Sequence, residues 1–142
     1  MNYEVVYTAF LSRMTDDEWE TWEEDALKQD LRELLKAAIS WFKFPSSSMD
    51  GDDEGFFEEL KPQEIQILAS YMKVEWLNRT IHHYENVRPL YEERDFSQAN
   101  LLSKFTVLLS VERKNAKILE SLFYRAEDHK PYDYSVLAGG GK

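Results

Sequence analysis

QILASYMKVEWLNRTIHHYENVRPLYEERDFSQANLLSKF, from Gln66 to Phe105, is the stretch whose reading decides the fold. Large aromatics, paired charges and amides recur along it at helical spacing. Read from Pro62 to about Val87, Ile65, Leu68, Met72 and Trp76 form one apolar stripe, and Ile67, Tyr71, Val74, Ile81 and Tyr84 form another roughly opposite. A helix apolar nearly all round must be surrounded by other helices. Pro62 suits the first helical turn, where its missing N–H costs nothing. Pro89 ends the helix, because proline disfavours helical backbone at the residue before it. Ser97 then restarts the chain as an N-cap, with Phe96 placed to staple onto Leu101. The last helix is expected to run to about Ala126 through Leu102, Phe105, Leu108, Leu109, Leu119, Leu122 and Phe123.

Toward the N-terminus the same periodicity continues. A short helix is expected near Glu4 to Arg13, with Val5, Ala9 and Phe10 facing inward. Thr15-Asp-Asp-Glu18 is a capping-box pattern that starts a second helix with an acidic first turn, and Trp19 and Trp22 share one of its faces. From Asp25 or Ala26 to about Phe42, the positions Leu27, Leu31, Leu34, Leu35, Ala38, Ile39 and Phe42 repeat at three and four residues, an amphipathic core helix. Phe44-Pro45 stops it. The Ser-, Asp- and Gly-rich segment through Gly55 is long for a compact domain, and is expected to be mobile or held by a partner. No stretch shows sustained strand alternation, so the expected fold is all-α: a bundle of four to five helices over residues 1–128, with an extended C-terminal tail over 129–142. In that tail Tyr132, Tyr134, Val136 and Leu137 alternate with polar or small residues before three glycines. A frayed end is one reading, and a strand-like segment that docks on a neighbouring protein is the other.

The 142 residues suffice for one domain with a core. A content of 43% hydrophobic and 14% aromatic residues argues that the chain folds. The absence of cysteine excludes disulfides, thiolate zinc sites and thiol nucleophiles. With no signal-like apolar start and no run near the eighteen or so residues that span a bilayer, the chain is expected to be soluble and synthesised in the cytoplasm. The net charge of −10 is uneven: residues 1–64 carry 17 acidic and 6 basic side chains, residues 65–142 carry 10 and 11. The acidity sits in Asp16 to Asp25, which includes Asp17, Glu20, Glu23 and Glu24, and in Met49 to Glu59, which includes Asp52, Asp53 and Glu54. Such runs repel a phosphate backbone, so sequence-specific nucleic-acid binding is not expected. They form either a solvated face or a wall along which DNA slides without sticking.

Catalytic signatures are missing. Asp50, Asp52, Glu54 and Gly55 imitate the first half of a calcium loop, but the position of the bidentate glutamate is Lys61. His82 and His83 are adjacent and diverge by about 100° on a helix, which does not suit one metal. No G-x-S-x-G and no glycine-rich phosphate loop occurs. Neither an enzyme nor a cofactor is expected. What remains is a polar stripe, Glu75, Arg79, His82 and Asn86, at i, i+4, i+7 and i+11 on one helical face bordered by Leu68, Tyr71 and Met72. It is either a plain exposed ion pair or part of a desolvated contact with another subunit.

AAISWFKFP (Ala37 to Pro45), EIQILASYMKVEWLNRTI (Glu64 to Ile81), ENVR (Glu85 to Arg88) and SQANLLSK (Ser97 to Lys104) resemble small helical structural proteins of tailed bacteriophages, in the head-tail connector or neck group. The resemblance spans about residues 10–125 through short matches and brings no active site. It implies an adaptor or head-completion role in the virion neck: copies form a homo-oligomeric ring beneath the portal protein, extend the DNA channel and receive another neck or tail protein. It further implies that an extended terminal segment, here YDYSVLAGGGK (Tyr132 to Lys142), grips the portal, and that the acidic first half lines a channel through which DNA passes without specific binding. The competing reading is a soluble helical interaction or regulatory protein whose acidic face binds a basic partner. A small enzyme with unrecognised carboxylate chemistry is a third.

Overall fold

The computed structural model describes residues 1–14, 24–87 and 95–126, and these build an all-α bundle. In chain order the helices are α1 (Glu4–Leu11), α2 (Glu24–Trp41), α3 (Pro62–Val87) and α4 (Asp95–Ala126). At 1.5 Å per residue, α3 is about 39 Å long and α4 about 48 Å. Among the described residues only isolated β-bridges accompany the helices.

The doubly striped pattern of α3 places it in the middle, packed by α1, α2 and α4. Ile67, Leu68, Ala69, Met72, Val74 and Leu77 are all buried, as are Tyr71 and Trp76. Around them α1 contributes Val6 and Phe10, α2 contributes Leu31, Leu34, Leu35 and Ala38, and α4 contributes Phe105, Ala116 and Phe123. Trp76 meets Phe105 edge to face at 5.7 Å, and Phe42 meets Phe123 the same way at 6.1 Å. Each fully buried Leu, Phe or Met stabilises the fold by about 1.5–3 kcal/mol relative to exposure.

Local expectations hold at α3 and shift elsewhere. Pro62 opens the helix, as its missing N–H favours. α4 begins at Asp95, so Ser97 lies inside the first turn instead of capping it. In α1 the buried residues are Val6 and Phe10, while Val5 is exposed. Six apolar residues crowd this short helix, and the face it turns inward is settled by its docking on α3. On α4, Leu122 is half exposed and does not join the core with Phe123. The Thr15 capping box, Trp19, Trp22, Pro89 and the tail from 129 onward lie outside the described residues.

The acidic segment after α2 is held by the chain's own N-terminal residues. Bridges pair Gly51 with Phe56 and Asn2 with Gly55. Phe56 N–H donates to Met1 O at 2.7 Å, Met1 N donates to Phe56 O at 2.8 Å, and the Tyr3 hydroxyl donates to Asp52 O at 2.6 Å. Phe56 is buried edge-on against Tyr3 at 4.8 Å, and the Arg32 guanidinium covers the Tyr3 ring at 4.6 Å. Glycine is required at both bridge positions because a Cβ on Gly55 would overlap Met1 O, and one on Gly51 would meet the Tyr3 hydroxyl at 2.6 Å.

Candidate functional site: polar clusters and an exposed helix face

The charged residues divide between a buried set that ties helices together and an exposed set that faces outward. Glu64 is fully buried at the third position of α3. Its Oε1 accepts from Lys61 N at 2.9 Å, closing the helix end in the manner of a capping box, and from the Ser47 hydroxyl at 2.6 Å. Its Oε2 accepts from the amides of Ser46 at 3.1 Å and Ser47 at 3.0 Å. Glu112 and Glu120, eight residues apart on α4, also turn inward. Glu112 Oε1 accepts from Ser70 Oγ at 2.8 Å and from Arg13 Nη1 at 3.2 Å. Arg13 also donates to Gln66, and its carbonyl accepts from Lys73 Nζ at 2.7 Å. Glu120 accepts from the Tyr71 hydroxyl at 2.6 Å and from Lys43 N at 3.3 Å. Burial, and then the hydrogen bond to Glu120, push the Tyr71 hydroxyl well above the ordinary tyrosine range. Each carboxylate here is an acceptor for groups from other parts of the bundle, an arrangement that orients helices.

The polar stripe on α3 lies at the surface. Arg79 Nε donates to Glu75 Oε1 at 3.2 Å, and Arg79 Nη1 reaches Glu33 Oε2 on α2 at 3.7 Å. Arg79 and His82 are exposed, and with Asn78 and His83 they line a wide, open depression. The apolar residues at the border of the stripe, Leu68, Tyr71 and Met72, are in the core. The stripe is therefore an ion-paired outer edge of α3, its Arg79 tied to α2. Asn86 follows it along the helix, with its side chain outside the described set.

The acidic residues are placed for only part of the chain. Asp16, Asp17, Glu20 and Glu23 lie outside the described residues, and Glu24 begins α2. Asp52, Asp53 and Glu54 are exposed. Asp52 Oδ1 accepts from the amides of Glu54 at 2.9 Å and Gly55 at 3.2 Å, which hold its carboxyl below the usual carboxylate range. Asp53 stands 3.7 Å from Arg32. Asp52 thus serves its own turn, and no group of three or more His, Asp or Glu among the described residues is arranged to hold a metal. No described helix is long and apolar enough to cross a membrane. The candidate docking residues Tyr132, Tyr134, Val136 and Leu137 lie outside the described residues.

Apart from Leu122, the residues of two exposed features have no assigned place in the sequence pattern. Phe57 is 69% exposed, directly after the buried Phe56. On α4, Val107 is 63% exposed, and Val111, Ile118 and Leu122 are each about half exposed. Their spacing of i, i+4, i+11 and i+15 is itself a helical stripe, legible in the sequence once the opposite face is known to be the buried one. Lys114, Lys117 and Arg125 line the shallow groove around Ile118, Ser121 and Leu122.

Comparison with protein-family models, with curated proteins and with solved structures finds no match to this chain.

Proposed function

We propose that this chain is a non-enzymatic assembly subunit, an adaptor or head-completion protein that forms a ring in the neck of a tailed-phage virion, between portal and tail. The observation that carries it is the sorting of side chains: the buried glutamates are committed to contacts between segments of the bundle, while large apolar residues remain exposed on α4 and at Phe57. An exposed apolar stripe bordered by charge is the mark of a protein-binding surface. The resemblance of the α2 end, α3 and the start of α4 to neck proteins supplies the particular assembly. In the ring, the acidic turn at Asp52, Asp53 and Glu54 borders the DNA path and the segment from Tyr132 to Lys142 grips the portal.

Mixing the full chain with a purified portal ring and measuring particle mass tests this reading. Stoichiometric rings on the portal are expected, and deletion of Tyr132 to Lys142 is expected to weaken them while leaving helicity intact. A chain that ignores the portal, and instead binds a basic partner as a monomer through its acidic turn, overturns the neck assignment in favour of a regulatory interaction protein.

A further inference from the structure

Phe57 and the outer face of α4 have complementary chemistry. Phe57 stands on a turn fixed from several sides: Phe57 N–H donates to Asp50 O at 3.0 Å, Asp52 N–H to Gly55 O at 3.0 Å, and the neighbouring Phe56 is locked against Tyr3. Phe56 is buried, and Phe57, at the bend that follows it, faces outward. The exposed aromatic is thereby preorganised, and docking it costs little ordering entropy. Exposed Glu54 and Glu59 belong to the same acidic segment, three residues before it and two after.

The groove on α4 has the opposite character. Its floor is Ile118 and Leu122, and Lys114, Lys117 and Arg125 stand around it. The two acidic residues of this part of the helix, Glu112 and Glu120, point away into the bundle, so the charge on the outer face is basic. An exposed aromatic on an acidic segment therefore complements an apolar groove bordered by cations. Both surfaces belong to one chain.

We infer that copies of this chain join head to tail, Phe57 of one copy seating over Ile118 and Leu122 of the next, with Glu54 and Glu59 against Lys114 and Lys117. This deepens the assembly reading above and rests on it by naming the surfaces that join neighbours. Because knob and groove are different surfaces, the contact is heterologous, and it closes into a ring or runs on as a filament. The aromatic anchor supplies the affinity, and the rim charges supply orientation and salt dependence.

Sedimentation of the full chain, of Phe57→Ala and of Ile118→Glu decides it, with helicity checked by circular dichroism. Both substituted positions are exposed, so both variants are expected to keep wild-type helicity. The wild-type chain should self-associate, less strongly at high salt, and each variant alone should associate at least about tenfold more weakly. Mixed together, the variants should form a one-to-one pair that grows no further, since Phe57→Ala retains a groove and Ile118→Glu retains a knob. A monomeric wild-type chain, variants that associate like wild type, or a mixture that does not pair overturns the head-to-tail contact. Portal binding separates the two claims. A wild-type chain that joins the portal while the variants assemble unchanged removes this contact and leaves the neck reading standing. Complementary pairing in a chain that ignores the portal does the reverse.

Discussion

α3 and α4 are the two longest helices of the described bundle; both turn carboxylates inward, and they differ in what they leave exposed. α3 is packed on three sides: it buries Glu64 at its start and Lys73 in its middle, and its exposed edge carries the Arg79 pairs with Glu75 and Glu33. α4 packs on α3 and carries Val107, Val111, Ile118 and Leu122 on its exposed side. Its glutamates go inward, and its lysines and arginines stay out. The pair teaches that amphipathicity in this protein is more than apolar-in and polar-out. Carboxylates placed inside as acceptors free the outer face of α4 to be both apolar and basic.

The contrast is broken most severely from the α3 side. Met72→Ala should cost about 2–5 kcal/mol by transfer loss and cavity formation, whereas Val111→Ala on the open face of α4 should stay within about 0.5 kcal/mol. Paired denaturant titrations read both values, and similar losses at the two sites would remove the distinction between surrounded and half-open helices. Next, Glu64→Ala leaves the amides of Ser46, Ser47 and Lys61 without their acceptor, and should cost about 1–3 kcal/mol in the same measurement.

Tyr71→Phe sharpens the comparison at the α3–α4 contact. The hydroxyl is held protonated by burial and by Glu120, so its folded pKa lies above the unfolded value of about 10. The stabilisation is complete below that unfolded value and is lost as pH rises through the folded one. The thermal stability of the wild-type chain should therefore fall above about pH 10, and the Phe variant should show a flatter alkaline limb. Smallest of all, Arg79→Ala should change stability by only a few tenths of a kcal/mol, because Arg79 itself and Glu33 are about half exposed, although Glu75 is more covered. A larger loss would show that the tie to Glu33 clamps α2 onto α3.

Periodicity revealed α3 because its pattern admits one interpretation, a helix with neighbours on nearly every side. It revealed α2 almost to the residue, since Leu31, Leu34, Leu35 and Ala38 keep strict helical spacing before Phe44-Pro45. It could not choose between Val5 and Val6, because either face of so short and apolar a helix could turn inward. Glu112 and Glu120 were illegible for a different reason. A buried carboxylate is tolerable only with its partners, and Arg13, Ser70, Tyr71 and Lys43 lie 99, 42, 49 and 77 residues away along the chain. The acidic turn looked like an unattached loop because its fixing contacts come from Met1 and Tyr3, equally remote. Of the candidate site, the Glu75–Arg79 pair was legible from its spacing. The outer face of α4 was not, because Val107, Val111 and Ile118 carry no signal of their own and Leu122 shares the spacing of the buried Phe123, so only the inward glutamates tell the two faces apart.

Glu64 has a consequence for exchange kinetics. Three main-chain amides, those of Ser46, Ser47 and Lys61, end on one carboxylate at the start of α3. Deuterium can enter at these amides only when that carboxylate lets go, and the carboxylate is rooted in a helix turn facing the core. Ser46 and Ser47, although they belong to a connection, should thus exchange at the rate of the first turn of α3, opening with it as one cooperative unit.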